Sequence, residues 1–331
     1  MQPLVTISIP IFKCEDSLEK CLLSVLHQTY KNLEVTLIND QTPDDSVKIV
    51  ENFIQKHGLQ NWKIYHLEEN SGLSVVRNKG IDTAQGKYLF FLDSDDTITP
   101  DCIEKMVHLA EKEKVQMVMG EVEAVKLPEG ERYPIFPITE KENTLLNNEE
   151  IFESFISGKY PECSWNKLIL LDFIKENQLY FTKGLYAQDS LQSFETALVL
   201  ESIAFLREKT YDYYLHQNSV IHNRGKKHFD NWFTIAKQID HSFKKEKSPE
   251  RKKKILQHLI HFKTLTLQMN WRAKKNEMLW KESYSNYKTL SSLSLSDYLS
   301  SKFSNKVKKE NFLNNLPTNL GFKVFKKRWG A

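Results

Sequence analysis

The sequence predicts an α/β protein: a mostly parallel central sheet with helices on both faces, followed by a basic helical C-terminal region. Short runs rich in β-branched residues alternate with segments whose apolar residues recur at helical spacing, the order expected of strand–helix–strand units. Each of the first four strand runs also ends in a polar cluster. Finally, charge divides along the chain: residues 1–222 carry 21 Lys and Arg against 35 Asp and Glu, whereas residues 223–331 carry 25 against 8.

Leu4 to Pro10 reads as the first strand, and Ser17 to His27 as a helix through Leu18, Cys21, Leu22, Val25 and Leu26. Leu33 to Ile38 is the second strand, and Asp44 to His57 returns to helical spacing through Val47, Val50 and Ile54. Trp62 to Leu67 is the third strand, Ser74 to Ala84 the third helix, and Lys87 to Leu92 the fourth strand. In such sheets ligands bind outside the carboxyl ends of the strands. The segments leaving those ends are Pro10 to Lys13, Asn39-Asp40-Gln41-Thr42, Glu69-Asn70-Ser71-Gly72 and Asp93-Ser94-Asp95-Asp96, and they should converge on one edge. No G-x-G-x-x-G follows the first strand and no G-x-x-x-x-G-K occurs, so the dinucleotide and P-loop phosphate cradles are both missing.

At 331 residues the chain is long enough for two domains. Cys14, Cys21, Cys102 and Cys163 show neither C-x-x-C spacing nor a disulfide framework, which fits a reducing cytoplasm. The N-terminus lacks the basic and apolar regions of a secretion signal, and no run of eighteen uncharged apolar residues could span a membrane.

The acidic cluster is the sharpest feature. Three carboxylates crowd the end of the apolar run Tyr88 to Leu92. One would suffice to cap the helix entered near Pro100, and like charges this close are costly without a counter-ion. Mg2+ and Mn2+ take oxygen ligands, commonly one or two carboxylates plus the phosphates of a substrate, so the cluster points to a nucleoside diphosphate.

The motifs Ile7-Ser8-Ile9-Pro10-Ile11-Phe12, Ser24 to Tyr30, Leu37-Ile38-Asn39-Asp40, Glu69 to Gly72, Arg77-Asn78-Lys79-Gly80-Ile81 and Phe91 to Asp96 together resemble family 2 glycosyltransferases of the GT-A fold. The match continues at Trp165-Asn166-Lys167-Leu168, Gln188-Asp189 and Tyr213 to Ser219. The resemblance implies a catalytic domain over 1–222, with a nucleotide-sugar half at about 1–115 and an acceptor half at about 116–222, and a basic helical region over 223–331. It also implies an inverting transfer of a hexose (galactose, glucose or N-acetylhexosamine) from a UDP-sugar to a glycan acceptor on a protein or lipid carrier, with Mn2+ or Mg2+.

The donor would be bound at Pro10, Phe12, Asp40, Arg77, Asp93, Ser94 and Asp96. Phe12 would lie along the uracil face or belong to the core. Asp40 would accept from the uracil N–H. Arg77 would fork onto diphosphate or uracil oxygens, or occupy a solvated helix face. Asp93 would touch ribose, Asp95 the metal, and Asp96 the metal's water shell or the donor sugar. Asp189 is the implied general base, with a helix cap as its alternative; its neighbour Gln188 stands where the family has Glu. His222 would complete the metal shell or contact phosphate, though a lone histidine is more often structural. Trp165 and Tyr186 form either a sugar-stacking wall or core.

Beyond 222, Phe229, Trp232, Phe233, Ala236, Ile239 and Phe243 form one helical stripe, and Ile255, Leu259, Phe262 and Met269 another. Phe322 to Trp329 interleaves aromatics with cations, as interfacial segments do. Two partners suit this region: an anionic leaflet, making the enzyme peripheral to the inner face of the cell membrane, or a partner enzyme or protein acceptor, as for streptococcal-type enzymes that extend glycans on serine-rich repeat adhesins. No nucleic-acid motif accompanies the charge. The competing function is a non-catalytic sugar-nucleotide or glycan-binding partner that keeps the fold, prompted by Lys13 and Gln188. A sugar nucleotidyltransferase would need a Gly-rich N-terminal loop that is absent.

Overall fold

In the computed structural model, which describes residues 2–215 and 225–329, the N-terminal apolar runs become neighbouring strands. β1 (Val5–Ile11), β2 (Leu33–Asn39), β3 (Trp62–His66) and β4 (Tyr88–Phe91) pair in parallel in the order β3-β2-β1-β4. Val5, Ile7 and Ile9 of β1 and Leu89 and Phe90 of β4 are wholly buried. β4 is a continuous apolar run, whereas β1 also buries Thr6 and Ser8 between its apolar residues, so both strands are covered on both faces. At the edge, β3 exposes Lys63 and His66.

The crossovers are α1 (Leu18–Leu26), α2 (Ser46–His57) and α3 (Leu73–Thr83). α1 buries Leu18, Cys21, Leu22 and Val25, the stripe its spacing predicts. Just before β4, a Cβ on Gly86 would lie 2.7 Å from the Thr6 backbone nitrogen and 2.8 Å from the Tyr88 carbonyl oxygen. Backbone atoms within a sheet cannot step aside. Gly86→Ala is therefore expected to destabilise this unit by about 1–3 kcal/mol, read as a lower denaturant midpoint at unchanged m-value.

The second half adds β5 (Thr97–Ile98), α4 (Cys102–Glu113), β6 (Met117–Lys126), β7 (Glu131–Ile135), β8 (Thr144–Leu145), α5 (Asn148–Ile156), β9 (Lys167–Leu170), α6 (Leu171–Glu176), α7 (Gln188–Val199) and β10 (Ile203–Leu215). The sheet continues β4-β9-β6-β10-β5, with β7 on β6 and β8 on β10. β9 runs antiparallel to both β4 and β6, while β10 and β6 are parallel. The expectation of a mostly parallel sheet thus holds for β1 to β4 and needs correction beyond them, where the sheet is mixed. Antiparallel neighbours need no helical crossover, so the alternation of strand and helix carried no sign of them. The four cysteines are all buried thiols.

Residues 2–215 form one compact unit and 225–329 a second. The boundary expected at 222/223 lies in 216–224, outside the described residues. The second unit comprises α8 (Lys226–Lys245), α9 (Pro249–Ala273), α10 (Glu277–Tyr287), α11 (Leu295–Leu299), α12 (Asn305–Asn314) and α13 (Thr318–Trp329). Ser248 caps α9 ahead of Pro249, and Asn276, Ser294 and Ser304 cap α10, α11 and α12 through their side chains. The two predicted stripes face inward through Phe229, Trp232, Ala236 and Ile239 and through Ile255, Leu259 and Phe262.

One expectation changes here. Phe322 and Phe325 of α13 are buried, with ring centroids 5.3 and 4.6 Å from Trp280, and they also meet Trp271 edge-on. Two of the three aromatics expected to enter a membrane interface, Phe322 and Phe325, are core and Trp329 is half-buried, whereas Lys323, Lys326, Lys327 and Arg328 are exposed. The same i, i+3 spacing serves either burial, and tertiary packing decides. Among the described residues no helix is long and apolar enough to cross a membrane.

Candidate active site

The carboxyl ends of β1 to β4 bring the predicted loops together. Pro10 is half-buried and Phe12, just past β1, is 40% exposed, so Phe12 is not core. Lys13, with φ +50°, donates its backbone N–H to Thr42 Oγ1 at 2.8 Å and ties the first loop to the second.

Asp40 follows β2 and is buried. Its Oδ1 accepts the Ser71 N–H at 2.7 Å, and its Oδ2 accepts the Gly72 N–H at 2.9 Å and the Asn70 amide at 3.2 Å. A carboxylate offers about four acceptor positions. Three of Asp40's positions fasten the loop into α3, where Gly72 takes φ +85°, which leaves about one for the uracil N–H expected of it.

Arg77 is 2% exposed, which rules out its alternative of a solvated helix face. Its Nη2 donates to Asp93 Oδ1 at 2.9 Å, and its Nη1 pairs with Asp189 Oδ1. Phe91 and Phe181 sit 6.0 and 5.5 Å from the guanidinium carbon. Burial alone would lower the Arg77 pKa, but Asp189 and then Asp93 reverse the shift and raise it, so the cation persists. The fork joins Asp93, at the end of the parallel half of the sheet, to Asp189 of α7, which lies 112 residues from Arg77 in sequence.

The acidic cluster divides by environment. Burial, reinforced by Asp95 and Asp189, raises the Asp93 pKa against the pull of Arg77. Asp96 is 1% exposed; burial first, then Asp95 and Asp93, push its pKa well above the carboxylate range. It accepts from Tyr211 Oη at 2.8 Å and the Tyr214 N–H at 2.9 Å, which opposes that shift. Ser94 is half-buried, its carbonyl accepting from Ser17 Oγ at 3.1 Å, and Asp95 is exposed.

Two carboxylates therefore share one guanidinium, while Asp95 and Asp96 add negative charge near Asp93, and this surplus of oxygen donors fits a hard divalent cation. Among the described residues no three His, Cys, Asp or Glu side chains converge on one point. Such an ion would be held by Asp95 and substrate phosphates rather than by a full protein cage. His222 lies outside the described residues.

Asp189 is half-buried in the first turn of α7, where Ser164 Oγ donates to the same Oδ1 at 2.9 Å. Gln188 beside it is buried, and its Oε1 has no hydrogen-bond partner among the described residues. Trp165 is core: it stacks on Tyr211 at 4.6 Å and Tyr213 at 5.6 Å. Tyr186 is 49% exposed.

Sequence reasoning missed Ser164 and Tyr211. Ser164 adjoins the Trp165 to Leu168 motif, which could have drawn attention to it. Tyr211 had no local signal, because its partners Asp93 and Asp96 are more than a hundred residues away.

A parallel half-sheet with acidic strand ends, coupled to a carboxylate from a mixed second half, has the architecture of the GT-A fold. Residues 6–169 match the family described as glycosyl transferase family 2, and the unit containing them belongs to it. EpsH of Bacillus subtilis (strain 168) is 26% identical over 289 residues, covering 85% of this chain and 81% of its own. Three further bacterial relatives are covered over 66%, 31% and 63% of their own lengths. Among solved structures, S. aureus TarS 1–349 in complex with UDP-GlcNAc superimposes with TM-score 0.69 at 17% identity over 97% of this chain and 92% of that one. The mannosyltransferase PcManGT from Pyrobaculum calidifontis in complex with GDP-Man and Mn2+ gives 0.57 at 13% identity over 100% and 88%. At these identities the structural likeness is one of fold.

Proposed function

We propose that this glycosyltransferase moves a hexose from a UDP-sugar to a glycan acceptor with inversion, Asp189 acting as general base. The observation that carries the reading is the buried Arg77 fork, which holds Asp93 of the acidic cluster and Asp189 of α7 on one guanidinium. Donor and base are thereby kept at a fixed separation, as an in-line displacement requires. The nucleotide-sugar complexes of TarS and PcManGT support the donor class.

In the displacement, the acceptor oxygen gives its proton to Asp189 and bonds to the anomeric carbon. The bond from that carbon to the diphosphate breaks, its electron pair leaving with UDP. Ser164 and Arg77 both donate to Oδ1, so Oδ2 is the oxygen we assign to the proton. A divalent ion held by Asp95, when bound, would neutralise the departing diphosphate. Asp40 shapes the loop that receives the nucleotide, and exposed Phe12 offers its ring to the uracil face. The exposed cations of α13 suit an anionic acceptor carrier.

Titration calorimetry with UDP, in Mn2+ and in EDTA, tests this reading. The wild-type chain should bind more tightly with the metal, and Asp95→Ala should lose roughly 10–100-fold of the metal-dependent affinity. UDP affinity indifferent to metal would contradict the assignment of Asp95. Metal-dependent binding without UDP release from any UDP-sugar would favour a non-catalytic binder instead.

A further inference from the structure

The hairpin between β6 and β7 returns to the site at Phe136. Its ring centroid is 6.1 Å from Trp165 and 6.0 Å from Tyr213, the latter contact edge-on. Trp165 in turn stacks on Tyr211 and Tyr213. Behind this wall the links are short: Ser164, preceding Trp165, holds Asp189, and Tyr211 holds Asp96. The wall therefore flanks both the base and the acidic cluster.

Two features of Phe136 lack a packing explanation. It is 44% exposed although large and apolar, and its φ is +51°. Left-handed backbone is a genuine outlier for a bulky residue, and such outliers cluster at ligand sites. The position is also fixed. Arg132 on β7 reaches Asp212 Oδ1 at 2.6 Å and Glu123 Oε2 at 3.0 Å, and the Ile138 N–H meets Glu121 Oε2 at 3.3 Å. A rigidly held, exposed aromatic ring suits the apolar face of a pyranose. Phe136, Trp165 and Tyr213 all come from the second half of the sheet, away from the loops after β1 to β3 that would take the nucleotide. The sugar on this ring is then the acceptor.

We infer that Phe136, backed by Trp165 and Tyr213, is the stacking platform for the acceptor hexopyranose, presenting a hydroxyl of that ring to Asp189. The inference rests on the glycosyltransferase reading above.

Saturation-transfer NMR with UDP and Mg2+ present tests it, using methyl β-D-glucopyranoside, methyl β-D-galactopyranoside and methyl N-acetyl-β-D-glucosaminide as probes. At least one glycoside should receive saturation on the ring C–H protons of one face. Phe136→Ala should weaken its binding roughly 3- to 10-fold, the effect of losing one aromatic contact, while Phe136→Tyr retains it. UDP affinity should match wild type in both variants. No transfer to any of the three glycosides, glycoside binding unchanged in Phe136→Ala, or a parallel fall in UDP affinity would overturn the platform. Glycoside binding that depends on Phe136 in a chain that fails to bind UDP would support the platform and overturn the donor reading alone.

Discussion

Asp189→Asn is expected to slow UDP release from a UDP-sugar, with water as acceptor, by roughly 100- to 10,000-fold while leaving UDP affinity within about twofold. The substitution keeps the side chain's volume and an Oδ1 that can accept from Ser164 and Arg77, so the fork keeps its shape. What disappears is the basic oxygen. Because Arg77 retains Asp93, the guanidinium is not stranded, and Asp189 sits at the more solvated end, its side chain 27% exposed against 2% for Arg77. The effect should therefore fall on turnover rather than on folding or donor binding. A fall in turnover below tenfold would remove Asp189 as base, and an equal fall in UDP affinity would make it a donor ligand.

How far the sequence reached depended on the range of the interactions concerned. β1 to β4 were legible because each is a short run rich in β-branched, aromatic or other apolar residues bounded by polar turns, and parallel strands are linked by helices with their own period. β7 was not: Glu131 to Pro134 is exposed and includes a proline, so it shows neither apolar run nor alternation. The strand-end carboxylates were legible as a cluster, but their counter-charge was not. A divalent ion was expected for the whole cluster, and nothing local announced that Arg77, which the family resemblance had placed at the diphosphate or uracil, pairs with Asp93. Asp40 illustrates the same limit: its partners Ser71 and Gly72 belong to a neighbouring loop, and only the tertiary fold shows that their N–H groups occupy it. α13 shows the converse. Its amphipathic stripe was visible, but not whether the stripe met lipid or Trp280.

Arg77→Met should be the most destabilising of these changes, at about 3–5 kcal/mol, because it leaves Asp93 largely buried and without a counter-ion. For a unit of this size that lowers the melting temperature by roughly 6–20 °C. Removing Asp93 as well should help: Arg77→Met with Asp93→Asn discards the stranded charge and is expected to recover part of the loss, which a simple packing defect would not allow. Arg77→Lys keeps the charge but cannot fork onto two carboxylates at once, so it should fall between wild type and Arg77→Met in stability. Both single variants should also slow UDP release, since Asp189 then keeps Ser164 but loses the link that fixes it relative to Asp93. Thermal melts followed alongside UDP release check this. A transition for Arg77→Met within about 2 °C of wild type, or a double variant less stable than Arg77→Met, would show that the guanidinium does not balance these carboxylates in solution.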